Sequence, residues 1–368
     1  MSRLAVLLAL VLLVGCGGSP APAQRAATGP TLAQRLDAEL AKQGEAAEVP
    51  GVAAAVVVDG RSIWSGAWGM ADVERHRKMT PDTPMAFGSI TKTLTASLAL
   101  RLAEKGRLDL DDRISRWLPE WRGAPDMTVR RLLAQTAGVV DPEDDRFYAR
   151  ADRHHGRVIR PEAWLNALPR PKLDPGNTPS YANANYILAG FIVRRAARGD
   201  WPRMLRDLRP GLALQPEQTV AARPARGYFY PDSQTPTPWP TGGGGMVPST
   251  ALASFAGTAG ALAGSTAALA RWGNALLGGD TLAPRSLEQM TRFSDEGAMW
   301  DGYGLGLAHQ RVDDREVWGH VGDIDGFHAE LWHLPEENLT MAVAWNDDRV
   351  GNDVIPRSLL IVALDAVK

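Results

Sequence analysis

Strand-like runs at both ends of the chain place the strongest constraint on its fold. Residues 52–59 are rich in Val and Ala and end in Asp59-Gly60, a dipeptide typical of tight hairpin turns, before a second run over 62–68. The pattern returns after Tyr303, in short runs over 304–310, 316–319, 327–333 and 340–345. The residues between these two groups read mainly as helix and loop. This order predicts an α+β fold (an α/β sandwich), in which a central antiparallel sheet built from the N- and C-terminal strands is flanked by helices.

Helical periodicity predicts the elements that cover this sheet. Leucines four residues apart predict a helix over 31–48, and Thr128 is a candidate N-cap for a short helix that ends before Gly138. Residues 162–272 read as a mostly helical insertion, and 355–367 as a closing apolar helix. The Pro- and Gly-rich stretch 231–245 is compatible with a mobile loop at the mouth of a site or with a disordered insertion.

The N-terminal segment predicts export rather than fold. Met1-Ser2-Arg3 precedes an apolar run over 4–14 that is too short for a membrane helix and suits a signal peptide. The run ends in a tetrapeptide, 13–16, that resembles a bacterial lipobox and predicts lipidation at Cys16. A plain secretory signal with an incidental Cys is the alternative. The expected location is therefore the bacterial cell envelope, on the periplasmic side of a membrane. The resemblance to lipoprotein sorting signals implies that Gly17 favours the outer membrane in an organism that has one.

The expected domain order follows from these segments. Residues 1–16 form the signal peptide and lipobox, and the Gly-, Ser-, Pro- and Ala-rich residues 17–30 form a flexible tether. Residues 31–368 form one domain, with 31–105 and 290–368 in a sheet subdomain and 106–289 in a mainly helical one. The net charge of −2 gives no support for nucleic-acid binding, which normally needs a basic face, so a nucleic-acid partner is not expected. A monomer is expected.

A Ser-x-x-Lys segment supplies the first candidate chemistry. Ser89 and Lys92 lie three residues apart at the start of an apolar helical run, so their side chains share one helix face. A serine hydroxyl needs a nearby base to become a nucleophile, and a desolvated lysine can lose its proton and act as one. In the alternative interpretation, Ser89 is a helix cap and Lys92 is a solvated residue of the first turn.

Metal sites have little support in the sequence. Cys16 is the single cysteine of the chain, and adjacent histidines such as His154 and His155 do not face one another on a helix. The acidic run Leu108-Asp109-Leu110-Asp111-Asp112 is interpreted as helix-cap and salt-bridge chemistry rather than as a metal or catalytic site. No metal and no cofactor are expected.

Two further segments support a specific chemical interpretation of Ser89 and Lys92. Tyr181 is the one tyrosine with Asn two residues later, Asn183, and Gly319-His320-Val321-Gly322-Asp323 follows far downstream. With Ser89 and Lys92, these resemble the Ser-x-x-Lys, Tyr-x-Asn and Lys/His-x-Gly motifs of the serine β-lactamase and penicillin-binding protein family. The resemblance lies in its branch of class C β-lactamases, D-alanyl-D-alanine carboxypeptidases and related esterases, and it covers nearly all of residues 31–368.

The resemblance implies a role for each matching residue. Ser89 is the nucleophile that forms an acyl-enzyme, while Lys92 and Tyr181 share the proton transfers, and Asn183 orients Lys92 and the substrate amide. The backbone N–H groups of Ser89 and Asp323 are the implied oxyanion hole. His320 joins the catalytic set, and Val321, Gly322 and Asp323 are the expected substrate-binding segment. Whether Lys92 or Tyr181 is the base in each step stays open.

The third motif departs from the β-lactamase pattern. His320 replaces a lysine, and Val321 lacks the hydroxyl that would bind a substrate carboxylate, while Asp323 and Asp325 add negative charge that would repel it. An enzyme that cleaves an ester or amide through Ser89 is therefore the leading hypothesis, acting on an ester, a peptide or a β-lactam. A carboxypeptidase, a β-lactamase and a catalytically silent cell-wall binding protein remain as alternatives.

Overall fold

The structure is a computed structural model, and it describes the chain in segments. The described residues are 29–121, 127–142, 156–159, 162–168, 176, 178–198, 203–204, 211–215, 218, 222–229, 237–238, 250–294, 300–349 and 354–367. The predicted signal peptide, Cys16, His154 and His155 lie outside these ranges, as does most of 231–245. Residues Leu32–Lys368 cluster as one unit, separate from Met1–Thr31.

An eight-stranded antiparallel sheet forms the centre of the fold. Its strands are β1 (Gly51–Val58), β2 (Arg61–Asp72), β3 (Arg77–Lys78), β9 (Gly302–Tyr303), β10 (Ala308–Val312), β11 (Arg315–Ile324), β12 (Phe327–Leu334) and β13 (Leu339–Trp345). Their spatial order is β3-β2-β1-β13-β12-β11-β10-β9, so strands from the two ends of the sequence meet where β1 pairs with β13. The predicted central antiparallel sheet, and with it the α+β class, is confirmed.

The smaller strands lie outside this sheet. Strands β4 (Met85–Ala86), β8 (Leu262–Gly264) and β5 (Leu212–Leu214) form a three-stranded sheet. Strands β6 (Tyr228–Phe229) and β7 (Thr237–Pro238) form a pair. Phe87, which follows β4, donates its N–H to Leu262 O at 2.8 Å. The three-stranded sheet therefore holds the chain immediately before the segment that contains Ser89.

Helices cover both faces of the central sheet. The α-helices of the described segments are α1 (Leu32–Ala46), α2 (Thr91–Glu104), α3 (Ile114–Trp117), α4 (Val129–Leu133), α5 (Glu162–Ala167), α6 (Asn183–Ala197), α7 (Thr250–Gly260), α8 (Thr266–Leu277), α9 (Pro284–Met290) and α10 (Val354–Ala363). Thr128 caps α4 by accepting the N–H of Arg131, as the sequence predicts. No helix in the described segments is long and apolar enough to cross a bilayer.

The two faces of the sheet belong to two separate cores. Along β1, Val52, Ala54 and Val56 pack in one core with the buried face of α1 and α10. The alternating residues Ala53 and Ala55 pack in the other core, which includes α2, α6 and α8. Since strand side chains alternate between faces, a strand buried on both sides is apolar throughout, as β1 is.

The third-motif region differs from the strand pattern expected from the sequence. Residues 304–307 form a turn rather than the start of a strand, because Gly304 donates its N–H to Leu307 O and Gly306 adopts φ +69°. In contrast, β11 is longer than the predicted 316–319 and runs through His320 to Ile324. Strand β12 therefore pairs with the whole third motif, whereas β10 pairs with it only at Gly319.

Candidate active site

Ser89 lies in a short 3-10 turn, Gly88–Ile90, that leads into α2. The turn is tied to the surrounding chain by Thr91, whose hydroxyl donates to Gly88 O at 2.6 Å and accepts the N–H of Leu262 at 2.8 Å. Lys92 follows one turn later, so the expected sharing of one helix face is confirmed. The interpretation of Lys92 as a solvated residue is wrong, since Lys92 is fully buried.

Two glycines allow β11 to lie directly against this turn. A Cβ at Gly322 would fall 1.9 Å from Phe87 O and 3.0 Å from the Ser89 nitrogen. Gly88 has φ +47°, and a Cβ there would fall 2.7 Å from the Asp323 nitrogen. The amide nitrogens of Ser89 and Asp323 therefore lie on opposite sides of the contact between β11 and the turn, which is called the seam below. Their role as an oxyanion hole stays a prediction.

The Lys92 ammonium or amine is the centre of the polar network. Its Nζ contacts Ser89 Oγ at 2.8 Å, Asn183 Oδ1 at 2.8 Å and Ala259 O at 2.9 Å. Burial lowers the pKa of Lys92 from 10.5 to about 7, although the negative charge of Asp141 acts to raise it. A neutral amine is therefore available beside the Ser89 hydroxyl near neutral pH.

Tyr181 lies on the other side of the serine and is partly open to the pocket. The Lys92 Nζ is 4.8 Å from its ring centroid, and its ring contacts Trp300 and Tyr303 edge-on. Burial among these groups raises the pKa of Tyr181 well above 10, while a hydrogen bond with the Ser89 side chain acts to lower it. The phenol form at neutral pH favours Tyr181 as a proton relay and Lys92 as the acceptor.

Asp141 is a site residue that sequence reasoning missed. Its carboxylate accepts the backbone N–H groups of Asn183 at 3.1 Å and Ala184 at 2.7 Å, which are the first residues of α6. It also accepts the Asn183 side-chain amide at 3.3 Å. Because the amide nitrogen points to Asp141, the amide oxygen is directed at Lys92. No local capping pattern identifies it in the sequence, because Asp141 lies 42 residues before the start of the helix.

Gln135 is a second residue missed from the sequence. Its buried side-chain oxygen accepts the Ala182 N–H at 3.1 Å and the Asn185 side-chain amide at 2.6 Å. Its backbone oxygen also accepts the Ser180 N–H at 2.8 Å. These bonds fix the residues before and after Tyr181 in the chain. The Tyr-x-Asn segment is therefore positioned by Gln135, which lies about fifty residues earlier.

His320 lies beneath the site and not within its hydrogen-bond network. The side chain is fully buried. Its Nε2 is 3.1 Å from the Tyr303 hydroxyl, and its Nδ1 is 2.5 Å from Val321 O. Burial and the nearby Lys92 lower the pKa of His320 to about 3, so the ring is neutral. Since both ring nitrogens are occupied, the geometry supports a positioning role for His320 under Tyr181 rather than the predicted catalytic one.

A cavity of about 390 Å³ opens above these groups. Ser89, Tyr181 and Asn183 are part of its lining. Apolar side chains of Leu252, Phe255, Trp300, Val321 and Ile324 form much of the remaining wall, together with the acids Asp323 and Asp325. The predicted substrate-binding segment therefore reaches the pocket, where it presents a methyl-bearing Val321 and a carboxylate rather than a hydroxyl.

The acidic run at 109–112 forms ion pairs and local capping hydrogen bonds, as expected from the sequence. Asp111 forms two hydrogen bonds with the Arg130 guanidinium, at 2.8 and 2.9 Å. Asp112 pairs with Arg116 and accepts the Trp117 indole N–H. Within the described segments, no group of three or more His, Cys, Asp or Glu side chains is arranged to hold a metal ion.

Comparison with known proteins agrees with the family resemblance and with the fold. A profile of the Beta-lactamase family matches residues 36–365. A D-aminopeptidase of Cereibacter sphaeroides is 29% identical over 337 residues, which cover 86% of this chain but only 60% of the relative. The chain therefore spans less than two thirds of the length of that curated relative.

Solved structures show similarity over nearly the whole chain. A D-stereospecific amidohydrolase from Streptomyces sp. is 26% identical with a TM-score of 0.72, and the match covers 88% of this chain and 97% of the other. A D-amino acid amidase from Ochrobactrum anthropi SV3, complexed with L-phenylalanine amide, has a TM-score of 0.78 at 22% identity and covers 92% and 99%. The second likeness concerns the fold alone.

Proposed function

We infer that this chain, which belongs to the Beta-lactamase family, is a serine hydrolase that cleaves amides of amino acids or short peptides through an acyl-enzyme at Ser89. The single observation that carries the proposal is the buried Lys92 Nζ, which lies 2.8 Å from both Ser89 Oγ and Asn183 Oδ1. A neutral amine so placed is a base already oriented toward the nucleophile.

The proposed reaction has two stages. Ser89 Oγ attacks the amide carbon and its proton passes to Lys92, directly or through the Tyr181 hydroxyl, while the carbonyl oxygen is stabilised at the Ser89 and Asp323 N–H groups. Collapse of the tetrahedral intermediate breaks the C–N bond, and the proton goes to the leaving amine. Water then attacks the acyl-enzyme with the same groups as its base and releases the acid and Ser89.

The pocket favours an amine-bearing amide over a substrate with a carboxylate at the same place. Val321 offers no hydroxyl to a carboxylate, and Asp323 and Asp325 line the cavity. The names of the similar D-aminopeptidase and D-stereospecific amidohydrolase support an amide with a free α-amino group and a D-configured acyl residue. For the same electrostatic reason, the carboxypeptidase and β-lactamase alternatives are less well supported. The complete Ser-Lys-Tyr-Asn set argues against a silent binding protein.

Turnover of D-phenylalanine amide and of its L enantiomer tests the proposal. We expect Ser89-dependent release of ammonia from the D enantiomer, with the Ser89→Ala protein as the matched control. Intact-mass spectrometry with a penicillin should show neither a lasting adduct nor Ser89-dependent loss of the drug. A lasting penicillin adduct with no amide turnover would instead assign the protein to the slow-deacylating penicillin-binding enzymes.

Envelope attachment and assembly are part of the proposal. We propose lipidation at Cys16 on the periplasmic side of a membrane, on the basis of the sequence pattern alone, and we propose that the enzyme is a monomer. Membrane fractionation of the full chain and its Cys16→Ser variant tests the anchor. Recovery of both proteins in the same fraction would reject it.

A further inference from the structure

A buried histidine connects the pocket to a buried acid on the sheet. His328 and Asp323 are cross-strand neighbours of β12 and β11, and His328 Nδ1 is 2.5 Å from Asp323 Oδ1. The other ring nitrogen, Nε2, is 3.3 Å from Glu330 Oε1, and Glu330 is itself only 2% exposed. The ring of His328 stacks on Trp345 at 4.3 Å, which restricts its rotation.

The charges of these three groups leave one negative charge facing the pocket. Although burial acts to lower the pKa of His328, its bonds to Asp323 and Glu330 raise it to about 9, so the ring is cationic at neutral pH. Two carboxylates and one imidazolium sum to −1. Glu330 is enclosed and also accepts the Trp332 indole N–H at 2.5 Å, so it balances the imidazolium within the protein.

Of the three charged groups Glu330, His328 and Asp323, the Asp323 carboxylate is the one exposed to the pocket. Its side chain is 71% exposed and Asp323 lines the cavity that contains Ser89. Oδ1 is oriented by His328, and within the described residues no hydrogen bond is found to Oδ2. An oriented carboxylate with a free oxygen at the wall of a pocket matches the geometry that a primary ammonium group requires.

We propose that Asp323 binds the α-ammonium group of the substrate and that His328 and Glu330 are positioning residues that hold its carboxylate toward the pocket. The proposal rests on the function proposed above, since it names the substrate group that this site selects. Because Asp323 is also the residue whose backbone N–H is the candidate oxyanion donor, the ammonium would be bound next to the carbonyl that reacts. An α-amino amide, in which one carbon separates the two groups, fits this spacing.

Calorimetric titration of the Ser89→Ala protein tests the proposal without relying on turnover. The probes are D-phenylalanine amide and its N-acetyl derivative, which differ in the positive charge. We expect the free amine to bind at least about tenfold more tightly, the magnitude of one charge-assisted hydrogen bond. Asp323→Asn should remove that difference. The matched control Asp325→Asn, a second acid of the same pocket, should retain most of it.

Equal binding of the two ligands, no binding of either, or loss of the preference only in Asp325→Asn would overturn the proposal. If wild-type protein fails to hydrolyse D-phenylalanine amide but the Ser89→Ala protein still prefers the free amine, the proposed function fails and this inference stands. The two failures are therefore distinguishable.

Variants of the two positioning residues test their part separately. His328→Leu removes the bond to Asp323 and should reduce the amine preference to less than about threefold, whereas His328→Asn keeps a donor and should restore part of it. Glu330→Gln removes the charge and keeps only one of the two acceptor oxygens that face His328 and Trp332, and it offers a milder change should His328→Leu not fold. Full retention of the preference in folded His328→Leu, or in Glu330→Gln where His328→Leu does not fold, would reject the positioning role.

Discussion

At the scale of single residues, burial sets the protonation states on which the site depends. Lys92 and Tyr181 are shifted in opposite directions, because burial disfavours the charged form of each group. The pKa of Lys92 falls to about 7 and that of Tyr181 rises well above 10. Near neutral pH the pair is therefore an amine and a phenol, which is the combination that a lysine base with a tyrosine relay requires.

The pH profile of acylation follows from the lowered pKa of Lys92. We expect kcat/KM for Ser89-dependent hydrolysis of p-nitrophenyl acetate to rise with pH through about 7, as the amine loses its proton, and then to level off. The rate is measured after subtraction of the Ser89→Ala background. A profile that rises only near or above pH 10 would identify the Tyr181 phenolate as the base.

Removal of the Asp141 charge should move this profile. Asp141 acts to raise the pKa of Lys92, so Asp141→Asn should shift the rising limb to lower pH. Because the Asn183 amide loses its acceptor, kcat should also fall by about tenfold or more. Asp313→Asn, which alters a surface ion pair with Arg357, is the matched control. A lower kcat with no shift in the rising part of the pH profile would mean that Asp141 positions Asn183 without affecting the pKa of Lys92.

At the scale of secondary structure elements, the site depends on how closely β11 approaches the turn at Gly88–Ile90. Strand β11 presents Gly322 to the carbonyl of Phe87, and the turn presents Gly88 to the backbone of Asp323. Backbone contact of this kind is possible only where both elements lack a Cβ. The separation of the Ser89 and Asp323 nitrogens is therefore set by packing between two elements that are distant in sequence.

Gly322→Ala should separate these elements. The added Cβ would fall 1.9 Å from Phe87 O, so the strand or the turn must shift. We expect Ser89-dependent ester hydrolysis to fall by about a hundredfold or more, since misplacement by about 1 Å is costly to catalysis. Gly60→Ala is the control, because its Cβ meets nothing within 4 Å and only the positive φ is strained. Comparable activity in the two variants would show that the seam is not essential.

At the scale of the whole molecule, the two ends of the chain complete one sheet and one core. Helices α1 and α10 pack together on the face of the sheet opposite to α2 and α8. The N-terminal strands β1 and β2 would otherwise leave an apolar face exposed. Since Ser89 is held against β11 of the same sheet, stability of the terminal helices and integrity of the site should be lost together.

Helix α10 offers a matched pair of substitutions that test whether the terminal helices and the active site unfold together. Leu359 is fully buried and Ile361, two residues later in α10, is 51% exposed. We expect Leu359→Ala to lower the free energy of unfolding by about 2–5 kcal/mol and Ile361→Ala by less than about 1 kcal/mol. Denaturant titrations followed by tryptophan fluorescence and by Ser89-dependent activity should give coincident midpoints. Separate midpoints would show that the helix and the site unfold independently.

The fold class, the strand-rich ends, the hairpin at Asp59-Gly60 and the residue types of the Ser-Lys-Tyr-Asn set could all be predicted from the sequence alone. These features are local: the alternation of apolar residues, turn dipeptides and residue types at short spacings encode them directly. The helix cap at Thr128 belongs to the same class. The family resemblance rests on three such local motifs.

The way in which these motifs come together depends on the tertiary structure. Burial of Lys92, which lowers its pKa, depends on α6 and α7 packing over α2, and no local pattern encodes a desolvation that comes from distant elements. The roles of Asp141 and Gln135 depend on hydrogen bonds that span more than forty residues. The neutral, enclosed His320 and the bond from His328 to Asp323 likewise arise from cross-strand register, since pairing between strands determines which side chains become neighbours.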